Sequence, residues 1–102
     1  MLTNDDLFID FEDFYDAATK ITTIPYDFNE KYIFIYSDTI EIIFHDDWKN
    51  YQISLFNQKI RKDVLPIGLI RLTFGCCFNQ QIKENVLPNT LICLKFGERS
   101  NH

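Results

Sequence analysis

The sequence predicts a short solenoid, β-rich or α/β, in which parallel coils follow an N-terminal helix. Three observations carry this. A 20-residue phrase, FNQKIRKDVLPIGLIRLTFG from Phe56, returns as FNQQIKENVLPNTLICLKFG from Phe78. Each copy places alternating apolar residues just before a glycine, the period-two signature of a strand. Farther upstream, apolar residues fall at helical intervals.

The helix is expected over residues 4–19. Thr3 and Asp6 suit a capping box, and Leu7, Phe8, Phe11, Phe14, Tyr15 and Ala18 follow at helical spacing. Acids near its start favour the positive end of the helix. Leu7, Ile9 and Phe11 leave a strand as the alternative. As an amphipathic element its role is to cover the first coil, because repeat arrays need atypical ends.

Next comes a degenerate unit. Thr39, Ile42, Phe44, His45 and Trp48 stand 30 positions before Leu69, Leu72, Phe74, Gly75 and Phe78, so TIEIIFHDDW reads as an earlier rung with eight extra residues before Phe56. In-register parallel rungs would then align Glu41, Arg71 and Cys93 in one outward column and Ile43, Thr73 and Lys95 in the next.

The two clear units share twelve identities in twenty positions at a shift of 22, a period of short solenoid coils. The expected core is Phe56, Asn57, Ile60, Leu65, Leu69, Leu72 and Phe74, with Phe78, Asn79, Ile82, Leu87, Leu91, Leu94 and Phe96 as their counterparts. Pro66 and Pro88 fix φ and lack an N–H, which suits the turn returning the chain to its next rung. Gly75 and Gly97 follow the strands, where a positive φ or close coil packing would exclude a side chain. Asn57 and Asn79, one above the other, are expected to satisfy turn carbonyls and N–H groups as a ladder. The domain plan is a capping segment over 1–33, a degenerate repeat with an insertion over 34–55, repeats over 56–77 and 78–99, and a tail over 100–102.

The pattern F-N-x-x-I, then L-P-x-x-L-x-x-L-x-F-G, resembles the FNIP repeat, a leucine-rich-repeat-like motif of social amoebae and of giant viruses that infect amoebae. Phe56-Asn57 and Phe78-Asn79, Ile60 and Ile82, Leu65-Pro66 and Leu87-Pro88 match it, as do the strand residues through Gly75 and Gly97. The namesake isoleucine-proline after asparagine is replaced by Gln58-Lys59 and Gln80-Gln81. The resemblance implies leucine-rich-repeat-like parallel coils used for structure or protein contact. It carries over no catalytic residue and no cofactor.

Length and composition agree with one small domain. A chain of 102 residues can hide roughly two thirds of its extended surface, and 46% apolar residues with ten phenylalanines are too many for a disordered tail. Residues 1–50 carry twelve acids and three bases, residues 51–102 three acids and seven bases. The acidic half would repel a polyanion, and the bases of the second half are spread through the repeat without an aromatic-interleaved run, so no nucleic-acid partner is expected. The Tyr32–Tyr36 run is far too short to cross a bilayer, and the acidic first residues, with no basic stretch before an apolar core, lead us to expect no secretory signal.

Catalytic and metal chemistry find little support. Three cysteines, two of them adjacent, make a poor disulfide framework and point to a reducing, intracellular and cytoplasmic setting, that of a host cell if the protein is viral. No spaced pair places two thiolates on one turn for zinc. His45-Asp46-Asp47 lacks further convergent ligands, and Cys76 or Cys77 lacks a visible activating environment. The sequence therefore indicates a nonenzymatic repeat protein, without cofactor or metal, that contacts a protein partner through Glu41, Ile43, Arg71, Thr73, Cys93 and Lys95. Self-association through the C-terminal coil is the other route to a partner. The alternatives are a structural or degenerating repeat fragment, and a small catalytic domain using Cys77 or His45.

Overall fold

In the computed structural model, which describes residues 11–97, five strands form one mixed sheet. They are β1 (Tyr15–Asp16), β2 (Ile21–Ile24), β3 (Glu41–Phe44), β4 (Arg71–Thr73) and β5 (Cys93–Lys95), in that spatial order. β1 and β2 are antiparallel; β2, β3, β4 and β5 run parallel. Among the described residues the helical segments are short 3-10 turns, at Phe11–Phe14, Trp48–Asn50 and Glu84–Val86. No helix among them is long and apolar enough to cross a membrane.

The helix expected over 4–19 is therefore corrected across its described part; residues 4–10 lie outside the described residues. Phe11 and Phe14, three apart, need only one 3-10 turn to share a side, since that helix has three residues per turn. Both rings meet Phe28 edge-on, at centroid distances of 5.9 and 6.0 Å. The chain then reverses: the Asp16 carboxylate accepts the Ala18 N–H at 2.9 Å, the Lys20 N–H donates to the Asp16 carbonyl at 2.7 Å, and Lys20 takes a left-handed φ of 61°. That hairpin pairs β1 with the outer edge of β2, giving backbone groups partners that a helix would have left unmade.

Parallel pairing follows from the repeat. Thr22, Ile42, Leu72 and Leu94 are successive register partners, and the first three are buried. Beside them Ile24 pairs with Phe44, and the rings of Phe44, Phe74 and Phe96 stack at 5.3 and 5.7 Å. A second stack, Phe28, Phe56 and Phe78, repeats at 6.1 Å. The two stacks meet within coils, Phe44 on Phe56 at 4.4 Å and Phe74 on Phe78 at 3.8 Å. Each such buried ring contributes about 1.5–3 kcal/mol, so the phenylalanines dominate the core. Leu65 and Leu69 are buried, while Ile60, Ile82, Leu87, Leu91 and Phe96 are partly buried around them. Leu94 differs, at 37% exposed, because no described strand lies beyond β5.

Phase in the strands is reset at each coil. Ile40's carbonyl accepts from both the Ile70 and Arg71 N–H groups, and Ile70's carbonyl from both Ile92 and Cys93. Two donors on one acceptor break the alternation, so Leu69 and Leu72 both face inward while Ile92 is exposed. The prolines sit where expected, their carbonyls accepting from Leu69 and Leu91 at 3.1 Å.

Close packing, not a positive φ, explains the two glycines after the strands, since no glycine has positive φ. A Cβ at Gly75 would lie 2.2 Å from the Ser54 Cβ, and one at Gly97 would lie 2.5 Å from the Cys76 nitrogen.

The asparagines form a running ladder. Asn29 Oδ1 accepts the Asn57 N–H at 2.9 Å, and Asn57 Oδ1 accepts the Asn79 N–H at 2.8 Å. Gln58 and Gln80 reinforce each step, donating from Nε2 to the carbonyl and side-chain oxygen of the asparagine in the preceding coil. The ladder is less buried than its sequence suggested, with Asn57 half-buried and Asn79 exposed.

Candidate protein-contact face

Inward residues alternate with outward ones, so the sheet's other face carries two rows. One row is Ile21, Glu41, Arg71 and Cys93; the other is Thr23, Ile43, Thr73 and Lys95. All six residues singled out from the sequence, Glu41, Ile43, Arg71, Thr73, Cys93 and Lys95, thus fall in adjacent columns. Parallel strands at the usual spacing of about 4.8 Å bring these side chains into one continuous patch.

Its chemistry is mixed. Arg71 Nε lies 3.3 Å from Glu41 Oε1, with the arginine side chain 47% and the glutamate 18% exposed. Ile43, Thr73 and Cys93 are half-buried and Lys95 is exposed. Arg71 therefore keeps part of its donor fork open while Glu41 holds its orientation, and Lys95 adds a second cation across the apolar Ile43 and the Thr73 hydroxyl.

The sequence reading missed Ile21 and Thr23. Their signal was present: ITTIP is a β-branched run closed by proline, followed by Phe28-Asn29, a third copy of the Phe-Asn pair. The helical spacing upstream and the shorter step from Phe28 to the strand concealed it.

Of the residues considered for catalysis and their neighbours, the Asp46 and Asp47 carboxylates brace local turns. The His45 N–H donates to the Ile24 carbonyl at 3.1 Å, and the imidazole is exposed. Asp46 accepts the Ser54 N–H at 2.6 Å and the Cys76 N–H at 3.1 Å, tying the 45–55 excursion to the next coil. Asp47 accepts from the Asn50 side chain at 2.7 Å, which holds its carboxyl below the usual value, with the Asn50 backbone N–H and the charge of His45 adding to the effect. Burial pushes the Cys77 thiol up, helped by Cys76 and Asp46; a raised pKa lowers the thiolate fraction a nucleophile needs. Among the described residues no group of three or more His, Cys, Asp or Glu comes together to hold a metal.

Residues 56–99 match the FNIP Repeat. The fold is FNIP- and leucine-rich-repeat-like. A solved structure of similar fold is the crystal structure of CroV588, described as a novel circular LRR protein: it is 39% identical, with a TM-score of 0.60, over 76% of this chain. The chain spans about a tenth of that protein's length, 10%. No curated protein matches the chain. The FNIP-like, leucine-rich-repeat-like character rests on both likenesses, and the class it belongs to is a generally non-catalytic one.

Proposed function

We propose that the chain is a nonenzymatic repeat module that binds a protein through the outer face of its parallel sheet. The observation that carries this reading is the alignment of Glu41, Arg71 and Cys93 beside Ile43, Thr73 and Lys95 on one regular surface. Solenoids use such surfaces for recognition because the variable positions of successive repeats converge there. Between the two clear repeats the strand positions that change are the outward ones, Arg71 to Cys93 and Thr73 to Lys95, while Leu72 and Phe74 keep their type. The FNIP likeness and the raised Cys77 pKa favour this reading over a catalytic domain using Cys77 or His45. The free cysteines support an intracellular, cytoplasmic setting.

Affinity capture with the chain and with an Arg71→Glu/Lys95→Glu variant tests the proposal. A partner held by the first and lost by the second, with both folded, supports recognition. Absence of selective capture favours a structural or degenerating repeat fragment. A second reading, self-association through the C-terminal coil, is favoured by the exposed Leu94 of β5, the last strand among the described residues; solution mass separates it from a heterologous contact.

A further inference from the structure

We propose that the hollow between segments 59–62 and 80–86 binds an acidic peptide carrying an apolar side chain between its carboxylates. This hollow, of about 530 Å³, has no lining residue in a strand and is separate from the sheet face. Its walls bear Lys59, Arg61, Lys62 and Lys83, its apolar floor is Ile60 and Val86, and carboxamides complete it; none of the described lining side chains is acidic. The repeat creates this concentration of charge, because segments distant in sequence lie side by side in consecutive coils.

Two walls are already ordered. The Arg61 guanidinium lies over the Tyr32 ring, 4.7 Å from its centroid, and Gln80 is fixed by its bonds to Asn57 at 3.0 and 3.1 Å. A stacked guanidinium keeps its N–H edge available for a carboxylate, and a side chain ordered beforehand loses less entropy on binding. The floor selects among anions. Ile60 and Val86 offer aliphatic contact, and among the described residues no aromatic side chain lines the hollow to receive a nucleobase. Carboxylates flanking an apolar side chain meet both features at once, whereas a polynucleotide would use only the charge.

Fluorescence anisotropy of a short labelled peptide alternating glutamate and leucine, titrated with the full chain, tests this. Saturable binding is expected, weakening by about tenfold in a Lys62→Glu/Lys83→Glu variant and by about tenfold when serine replaces leucine in the peptide. Lys62→Gln, a milder change at an exposed position, should weaken it by a smaller factor, and Lys49→Glu, exposed and away from the hollow, should leave it unchanged. Thermal melts establish that each variant is folded. No saturable binding by the parent chain, equal binding by the folded double variant, or tighter binding of a single-stranded RNA oligonucleotide would overturn the proposal.

Discussion

Asn57 joins neighbouring coils: its side-chain oxygen accepts the Asn79 N–H at 2.8 Å, and the same oxygen accepts from Gln80 Nε2 at 3.0 Å. Its own N–H donates to the identical oxygen of Asn29. One residue thus repeats one bond from coil to coil, which turns a sequence period into a structural one.

Replacing Asn57 by alanine strips the acceptor from two donors. The Asn79 N–H belongs to an exposed residue and can turn to water, so each lost bond costs about 0.5–1.5 kcal/mol, and Asn57→Ala should lower the melting temperature accordingly. Asn57→Asp keeps the acceptor oxygens and should lose less. Thermal melts of the two variants at neutral pH rank them.

Gly75 and Gly68 separate two meanings of glycine. Gly75→Ala would drive a methyl group into Ser54, at 2.2 Å from its Cβ, and overpacking of this kind costs about 1–3 kcal/mol. Ser54→Gly should restore part of that loss in the double variant. Gly68→Ala, with nothing within 4 Å, should be neutral or slightly stabilising. Denaturant unfolding of the parent, the Gly75→Ala and Ser54→Gly single variants and the double variant measures the interaction.

The Glu41–Arg71 pair should matter for recognition more than for stability. At 3.3 Å and with Arg71 half-exposed, solvent screening leaves such a pair about 0–1 kcal/mol. A double-mutant cycle of Glu41→Gln and Arg71→Gln should give a coupling within that range, falling further with added salt. A larger, salt-independent coupling would mean that the pair is a structural lock.

Cys77 and Asp47 respond to pH in opposite directions. Cys77 is raised from 9.0 by burial, so its neutral form stabilises the native state below the unfolded pKa, and this contribution is lost as pH rises through the native one. Its alkylation in the folded chain should therefore reach half its maximal rate above pH 9.0. Asp47, lowered from 3.8 chiefly by Asn50, contributes above its unfolded pKa and loses that contribution as pH falls through its native value. Iodoacetamide kinetics and a carbon-detected titration of Asp47 read the two shifts; Asn50→Ala should bring Asp47 back towards 3.8.

What the sequence revealed was what repeats in it. Leu72 and Phe74 against Leu94 and Phe96, the proline turns and the asparagine ladder were legible because a second copy separates constrained positions from free ones. Single-copy features were not. Phe11 and Phe14 have spacing compatible with helix and 3-10 turn alike, and what decides is tertiary: the Asp16–Lys20 reversal and an open edge of β2 to be paired. The rows' beginning at Ile21 and Thr23 was hidden because Phe28 lies 16 residues before Phe44, whereas Phe56 lies 18 before Phe74. The basic hollow was invisible as a site, since its bases fall in two separate repeats, Lys59, Arg61 and Lys62 in one and Lys83 in the next, and converge only when coils stack.

Proton NMR of the folded chain tests in-register stacking most directly. Parallel stacking predicts cross-strand nuclear Overhauser contacts from Leu72 to both Ile42 and Leu94, its two register partners, together with ring contacts from Phe74 to Phe44 and Phe96. Contacts placing Leu72 and Leu94 in elements that do not adjoin, or an antiparallel pattern between β4 and β5, would contradict it.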